Sequence, residues 1–407
     1  MTMFGPSDTW TSFESLDPED EHTKDIENLL GGANFSLLRS KAVELRRRFD
    51  GLSGQITSSI NTSKFTSGYY NVVLEIIFSD QARWIARIRL PDSEASDADI
   101  EKSMLSEIAT MKLVKARTSL PVPAVYDVEV TLPNPVGYRY ILMEALPGRI
   151  LEKIFAFSVP REEWDKIARQ LATYYRQLST MTFDRMGQIW CGRRGDEEPS
   201  IITFTIEDTR QASTAGPFAT SLEYFFAIRA GQTRAILSQH PGSDEWTAAA
   251  WLLDQALPSV VHAECIYGPF PLCHLDLQYN NILVDEEYNI TGILDWSNAQ
   301  TVPVERFMTS PEFITFPGLS VEENQPIVDF RNDFAKMVES CVDGEAEGQG
   351  RKLAGLVGSN IAELVYRAVC GTSWRALPYA RLVLRQLLGP GAKFEDIIDM
   401  RREAVAL

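Results

Sequence analysis

Three polar residues, Asp276, Asn281 and Asp295, interrupt a stretch that is otherwise apolar or turn-forming, CHLDLQYNNILVDEEYNITGILDWSNAQ at positions 273–300. The apolar runs Ile282-Leu283-Val284 and Ile290 to Leu294 are separated by Asp285-Glu286-Glu287. That pattern predicts a loop, a short strand, an acidic turn and a second short strand ending at Asp295-Trp296. Such a hairpin holds Asn281 and Asp295 near each other, with Asp276 on the loop leading in. The set suits phosphoryl transfer, in which the protein mainly positions groups and neutralises charge. Asp276 would accept or orient an attacking hydroxyl, and Asn281 and Asp295 would offer hard oxygen ligands to magnesium. An ordinary hairpin with solvated carboxylates in its turn accounts for Asp285 to Glu287 but poorly for the other three.

The spacing His274-x-Asp276-x-x-x-x-Asn281 is the catalytic-loop pattern of kinases. With Ile282-Leu283 directly after it and Asp295-Trp296 closing the second strand, the stretch resembles the aminoglycoside phosphotransferase and choline kinase-like family of small-molecule kinases, in the form common in fungi. The resemblance covers residues 60–310. It implies an α+β, bilobal protein-kinase-like fold, with a small N-lobe of antiparallel sheet plus helix and a larger, mainly helical C-lobe. The corresponding divisions are 1–50 as an N-terminal helical extension, 51–147 as the nucleotide-binding N-lobe and 148–407 as the catalytic and acceptor-binding C-lobe. It also implies ATP and Mg2+ as cofactors, Asp276 as the catalytic residue and Asn281 and Asp295 as metal ligands. His274 is expected to hold the loop by hydrogen bonds rather than to transfer a proton.

The elements that must position these groups are readable upstream. Lys64 to Arg89 alternates as sheet does, with a hairpin of Val72–Phe78 and Arg83–Ile88 about Ser79-Asp80-Gln81. Gly68 and Asn71 open it. In the family a Gly-x-x-Asn loop covers the nucleotide phosphates, but with one glycine a plain turn fits almost equally well. The strand Trp84 to Ile88 should carry the cation for the α- and β-phosphates. That residue is Arg87, where protein kinases use Lys, and Arg89 follows on the same face; guanidinium binds phosphate bidentately. Arg87 is otherwise a surface strand residue. A helix from Ala98 to Ala116 has Met104, Ile108 and Met111 in one stripe, bordered by Glu107. Glu107 either pairs with Arg87 or sits exposed at the rim. The strand Tyr138 to Glu144 and the following Ala145-Leu146-Pro147-Gly148 look like the hinge between lobes, which puts Glu144 and Leu146 beside the base. Met143 either backs the pocket or is ordinary core.

Elsewhere, residues 1–25 are polar and acidic and predict little order. Gly31-Gly32 divides a helical pattern from Asp25 to Phe49, and Arg46-Arg47-Arg48 reads as a solvated helix end. Helices are expected over Glu162 to Thr180, with Trp164, Ile167, Leu171, Tyr174 and Leu178 on one face, over Leu222 to Leu237 and over Trp246 to Leu257. The tail from Val328 is amphipathic helix, broken at Gly344 to Gly350.

The 407 residues suit two lobes. With 44% hydrophobic and 23% charged residues the chain reads as soluble and globular, and a formal charge of −17 argues against a nucleic-acid binder, which needs a basic face. That acidity would tolerate a cationic substrate, although solubility explains it more simply. Five scattered cysteines give neither a disulfide framework nor a zinc site. No apolar run approaches 18 residues and no leader pattern opens the chain, so no membrane is implicated and the cytoplasm is expected. The best reading is an ATP- and Mg-dependent phosphotransferase whose partner is a small-molecule alcohol. The alternative is a kinase-fold protein without transfer activity. A protein kinase fits less well, because Gln278 replaces the lysine expected there and no Ala-Pro-Glu follows Asp295. Oligomeric state is not legible.

Overall fold

The computed structural model describes residues 6–51, 55–93, 95–151, 159–206, 213–311, 320–340 and 360–406. The expected break at Gly344 to Gly350 and Cys341 lie outside the described residues. The chain divides into two compact units. The first comprises Met1–Lys153, Cys191–Glu197 and Tyr279–Ser297; the second comprises Ile154–Trp190, Glu198–Gln278 and Asn298–Leu407. One is sheet with helices and the other is mainly helical, the α+β class expected.

The first unit is built on strands β1 (Ser58–Ser67), β2 (Asn71–Phe78), β3 (Arg83–Arg89), β4 (Val125–Glu129) and β5 (Tyr140–Glu144), in the order β1-β2-β3-β5-β4. All neighbours are antiparallel. Because side chains alternate along a strand, each strand sorts its residues between two faces. One face presents Val72, Leu74, Ile76, Phe78, Trp84, Ala86 and Ile88, all buried. It packs against Ile26 and Leu29 of α1 (Glu21–Gly32) and Leu38 and Ala42 of α2 (Phe35–Asp50). Each such aliphatic side chain contributes roughly 1.5–3 kcal/mol on burial. The helices start where the sequence supplies an acceptor: the Asp20 side chain takes the His22 amide and Asn34 takes the Leu37 amide. The opposite face carries Glu75, Ile77, Arg83, Ile85, Arg87 and Arg89. Against it lies Glu107 of α3 (Asp97–Arg117), a helix buried nearly all round from Met104 to Val114.

Two differences from expectation have clear physical causes. Within the polar N-terminal stretch Ser12 and Phe13 are docked rather than loose: Ser12 Oγ bonds Ser63 O and accepts from Phe65 N, and Phe13 meets Phe65 edge-on. These contacts stitch an irregularity in β1, whose register slips between Ile60 and Phe65. Arg46 is buried, not solvated, because its guanidinium lies over Phe78 and its Nη2 reaches Asp80 at 2.7 Å. Arg47 and Arg48 are the exposed members of that run.

After β5 the chain forms β6 (Arg149–Ile150), which pairs with Ile282–Val284; that strand pairs in turn with Ile290–Ile293. The turn before β6 requires Gly148 at φ +114°, where a Cβ would strike Thr291 Oγ1 and Val284 O. This three-stranded sheet is further tied to its unit by Ile293 N donating to Pro121 O at 2.8 Å.

In the second unit the helices Ser221–Gln239, Asp244–Ala256, Asn360–Cys370, Ala376–Leu388 and Phe394–Ala406 enclose one core around Phe225, Ala249, Leu253, Val369 and Val383. The helix Trp164–Thr180 buries Tyr175, not Tyr174, between Phe307 and Phe334. Strand Phe270–Cys273 pairs with Thr182–Phe183 and Gln300–Thr301, and its end delivers the chain to His274.

Candidate active site

Strand alternation puts Arg87 on the sheet face away from α1 and α2, flanked in register by Val73 and Ile141. Its Nη2 donates to Glu107 Oε2 in a very short ion pair. The two side chains are 12% and 3% exposed, so Glu107 lies within the fold and not at its rim. Burial disfavours the charge on Arg87, but Glu107, with Asp295 farther off, outweighs that and raises its pKa. Arg87 Nε and Glu107 Oε1 are buried with no hydrogen-bond partner among the described residues. A buried donor left over beside a charge pair costs free energy unless a ligand completes it.

Asn281 ends a turn over Tyr279–Asn281, and its carbonyl accepts from Leu294 N at 2.8 Å. Asp295 comes next, so the hairpin brings the two backbones together. Asp295 adopts φ 58°, a left-handed conformation that Asp tolerates better than most residues. Its Oδ1 accepts from Ser297 Oγ at 2.7 Å. Among the described residues no group of three or more His, Cys, Asp or Glu could hold a metal. Two oxygen donors, one amide and one carboxylate, suit magnesium, which keeps several waters and takes few protein ligands. They would suit zinc poorly.

Gly68 and Asn71 flank the β1–β2 turn, and Gly68 N donates to Asn71 O at 3.0 Å. A Cβ at Gly68 would meet open space. The Glu144 carboxylate accepts from Lys115 Nζ and Ala124 N, and its amide donates to Ala124 O. Leu146 is buried and its side chain reaches Gly292, where an added Cβ would lie 3.0 Å from it.

Asp276 belongs to the second unit; the chain passes from that unit to the first between Gln278 and Tyr279. His274 is buried and its Nδ1 accepts from Asp276 N at 3.3 Å. Gln278 Nε2 donates to Asp276 Oδ1 at 2.9 Å. Arg306 Nη2 supports the loop from behind by donating to Leu275 O. The contacts of Gln278 and Ser297 were not foreseen. The sequence signal for the latter is a hydroxyl residue two positions after Asp295, the spacing at which a side chain closes a local turn.

A model of the phosphotransferase enzyme family matches residues 61–304, more than half of the chain. A subtelomeric hrmA-associated cluster protein of Aspergillus fumigatus is 31% identical over 128 residues, which is 31% of this chain and 24% of that protein. The chain thus spans about a quarter of that relative's length. A protein named altered inheritance of mitochondria protein 9, mitochondrial, from Eremothecium gossypii is 21% identical over 65% of this chain and 52% of its own length. Its namesake in Meyerozyma guilliermondii is 25% identical over 50% of this chain and 33% of its own length. A crystal structure of aminoglycoside phosphotransferase APH(4)-Ia superposes with a TM-score of 0.46 at 15% identity, covering 87% of this chain and 100% of that one.

The mitochondrial names of these relatives correct the expectation of a cytoplasmic protein. Composition and the lack of a long apolar run set no compartment. What holds structurally is that no helix among the described residues is long and apolar enough to cross a membrane.

Proposed function

The chain belongs to the phosphotransferase enzyme family, and on that premise we propose that it transfers the γ-phosphoryl group of ATP to a hydroxyl of a small molecule. The observation that carries this reading is the buried Arg87–Glu107 pair, which leaves a donor and an acceptor unmatched and lies in the field of Asp295. Arg87 binds the phosphate chain. The loop Gly68 to Asn71 covers it, and the backbone at Glu144 to Leu146 receives the base. Asn281 and Asp295 are the residues to hold magnesium, which when bound supplies positive charge against the phosphate oxygens.

Asp276 orients the acceptor hydroxyl and takes its proton as the oxygen bonds to the γ-phosphorus and the bond to the β-phosphate oxygen breaks, releasing ADP. Gln278 and His274 support this role by fixing the Asp276 carboxylate and amide. The test is a panel of aminoglycosides, amino alcohols and sugars, each scored for acceptor-dependent ADP release. At least one should exceed the basal rate, and none should do so with Asp276→Ala.

A second reading is a nucleotide-binding scaffold without transfer. It is favoured by Gly68, the loop's single glycine, whose conformation does not require glycine. ATP binding with no ADP release for any acceptor would select it.

A further inference from the structure

Arg89 is the second guanidinium on the face that bears Arg87. It stands two residues further along β3, about 7 Å by strand geometry, and pairs in register with Asn71 at the end of the loop. The loop is lashed to this point twice. Leu90 N donates to Tyr70 O at 2.9 Å, and the Arg89 guanidinium lies 4.3 Å from the centre of the Tyr70 ring. Its side chain is only 18% exposed, and its ion pair with Asp92 is long at 3.4 Å. Arg89 Nε is buried with no hydrogen-bond partner among the described residues. Burial, with Arg87 as a lesser cause, lowers the Arg89 pKa.

Two guanidiniums at this spacing on one covered face repel each other. Glu107 neutralises the first, while Asp92 is a distant match for the second. The arrangement becomes favourable when a ligand carrying more than one negative charge lies across both. A surface arginine that merely shields the sheet edge would keep its donors in water; this one holds a donor inside, beneath an aromatic ring on the loop.

We propose that Arg89 is a phosphate-binding residue that acts beside Arg87 on the polyphosphate of a nucleoside triphosphate, with Tyr70 as the positioning residue that holds it under the loop. This rests on the ATP-dependent reading above. The two arginines divide the chain of phosphates, so the contribution of Arg89 grows with the number of phosphates and vanishes for the nucleoside.

The experiment is calorimetric titration of adenosine, AMP, ADP and ATP into the full chain and into Arg89→Gln, Arg89→Lys and Tyr70→Leu, with a thermal melt of each variant. Arg89→Gln should weaken ATP by about tenfold, the scale of a charge-assisted contact, weaken ADP less, and leave adenosine unchanged. Arg89→Lys should recover part of the ATP affinity, and Tyr70→Leu should weaken ATP without affecting adenosine. If ATP binds the wild type no tighter than adenosine does, the ATP-dependent reading itself fails. If ATP binds tightly and Arg89→Gln leaves it unchanged, or weakens ATP and adenosine alike, the role given to Arg89 alone is overturned.

Discussion

Ser297 Oγ donates a 2.7 Å hydrogen bond to Asp295 Oδ1, on a residue held at φ 58°. The bond fixes one carboxylate oxygen of the residue proposed to hold magnesium. Groups that orient a metal ligand in this way commonly matter to affinity about as much as tenfold. Ser297→Ala should therefore raise the magnesium concentration needed for half-maximal ATP binding by about tenfold, with the thermal melt nearly unchanged. A titration of magnesium against fixed ATP checks this; an unchanged midpoint would remove Ser297 from the site.

The Arg87–Glu107 pair predicts a distinctive pattern of stability. Removing one member strands the other in a covered position, at a cost of about 3–5 kcal/mol. Arg87→Met and Glu107→Leu should each lower the urea midpoint accordingly. The double variant should recover most of that stability, because two apolar side chains can fill the same space, but should not recover ATP affinity. Equal losses adding in the double variant would show that the pair is not coupled.

Glu305 gives a prediction in pH. It is 1% exposed, its Oε1 accepts from His262 N at 2.7 Å, and its Oε2 has no partner among the described residues. Burial raises its pKa despite the opposing bond from His262. The folded protein therefore holds the proton to higher pH than the unfolded chain does. Stability is lost as pH rises from the ordinary glutamate value through the raised one. Glu305→Gln keeps an acceptor for His262 N and abolishes the ionisation. It should melt above the wild type at neutral pH, with the gap closing as pH falls below the ordinary glutamate value. A gap independent of pH would contradict this.

Much of this was legible in the residues, and the exceptions are instructive. The pairing of Ile282–Val284 with Ile290–Ile293 followed from two apolar runs about an acidic turn, and α3 from a stripe at helical spacing. The Arg87–Glu107 contact was one of two open alternatives, because a carboxylate beside an apolar stripe can face in or out. β1 was half hidden: Ser58 to Ser63 lacks apolar alternation, and the strand depends on β2 and on Ser12, far away in sequence. The inward turn of Arg46 depends on Asp80 and Phe78, contacts that no local pattern announces. Gln278 registers in the sequence as a missing lysine; only the folded loop brings its amide onto Asp276.

The transfer itself is read by following labelled γ-phosphate from ATP to the acceptor that scores in the alcohol panel, in the wild type and in Asp276→Ala, with ATP affinity measured on both. Label should appear in the wild-type product, turnover should fall by about 10²–10⁴-fold in the variant, the range for losing a general base, and ATP affinity should stay equal within about twofold. Undiminished transfer by Asp276→Ala, or loss of ATP binding together with transfer, would contradict the role given to that carboxylate.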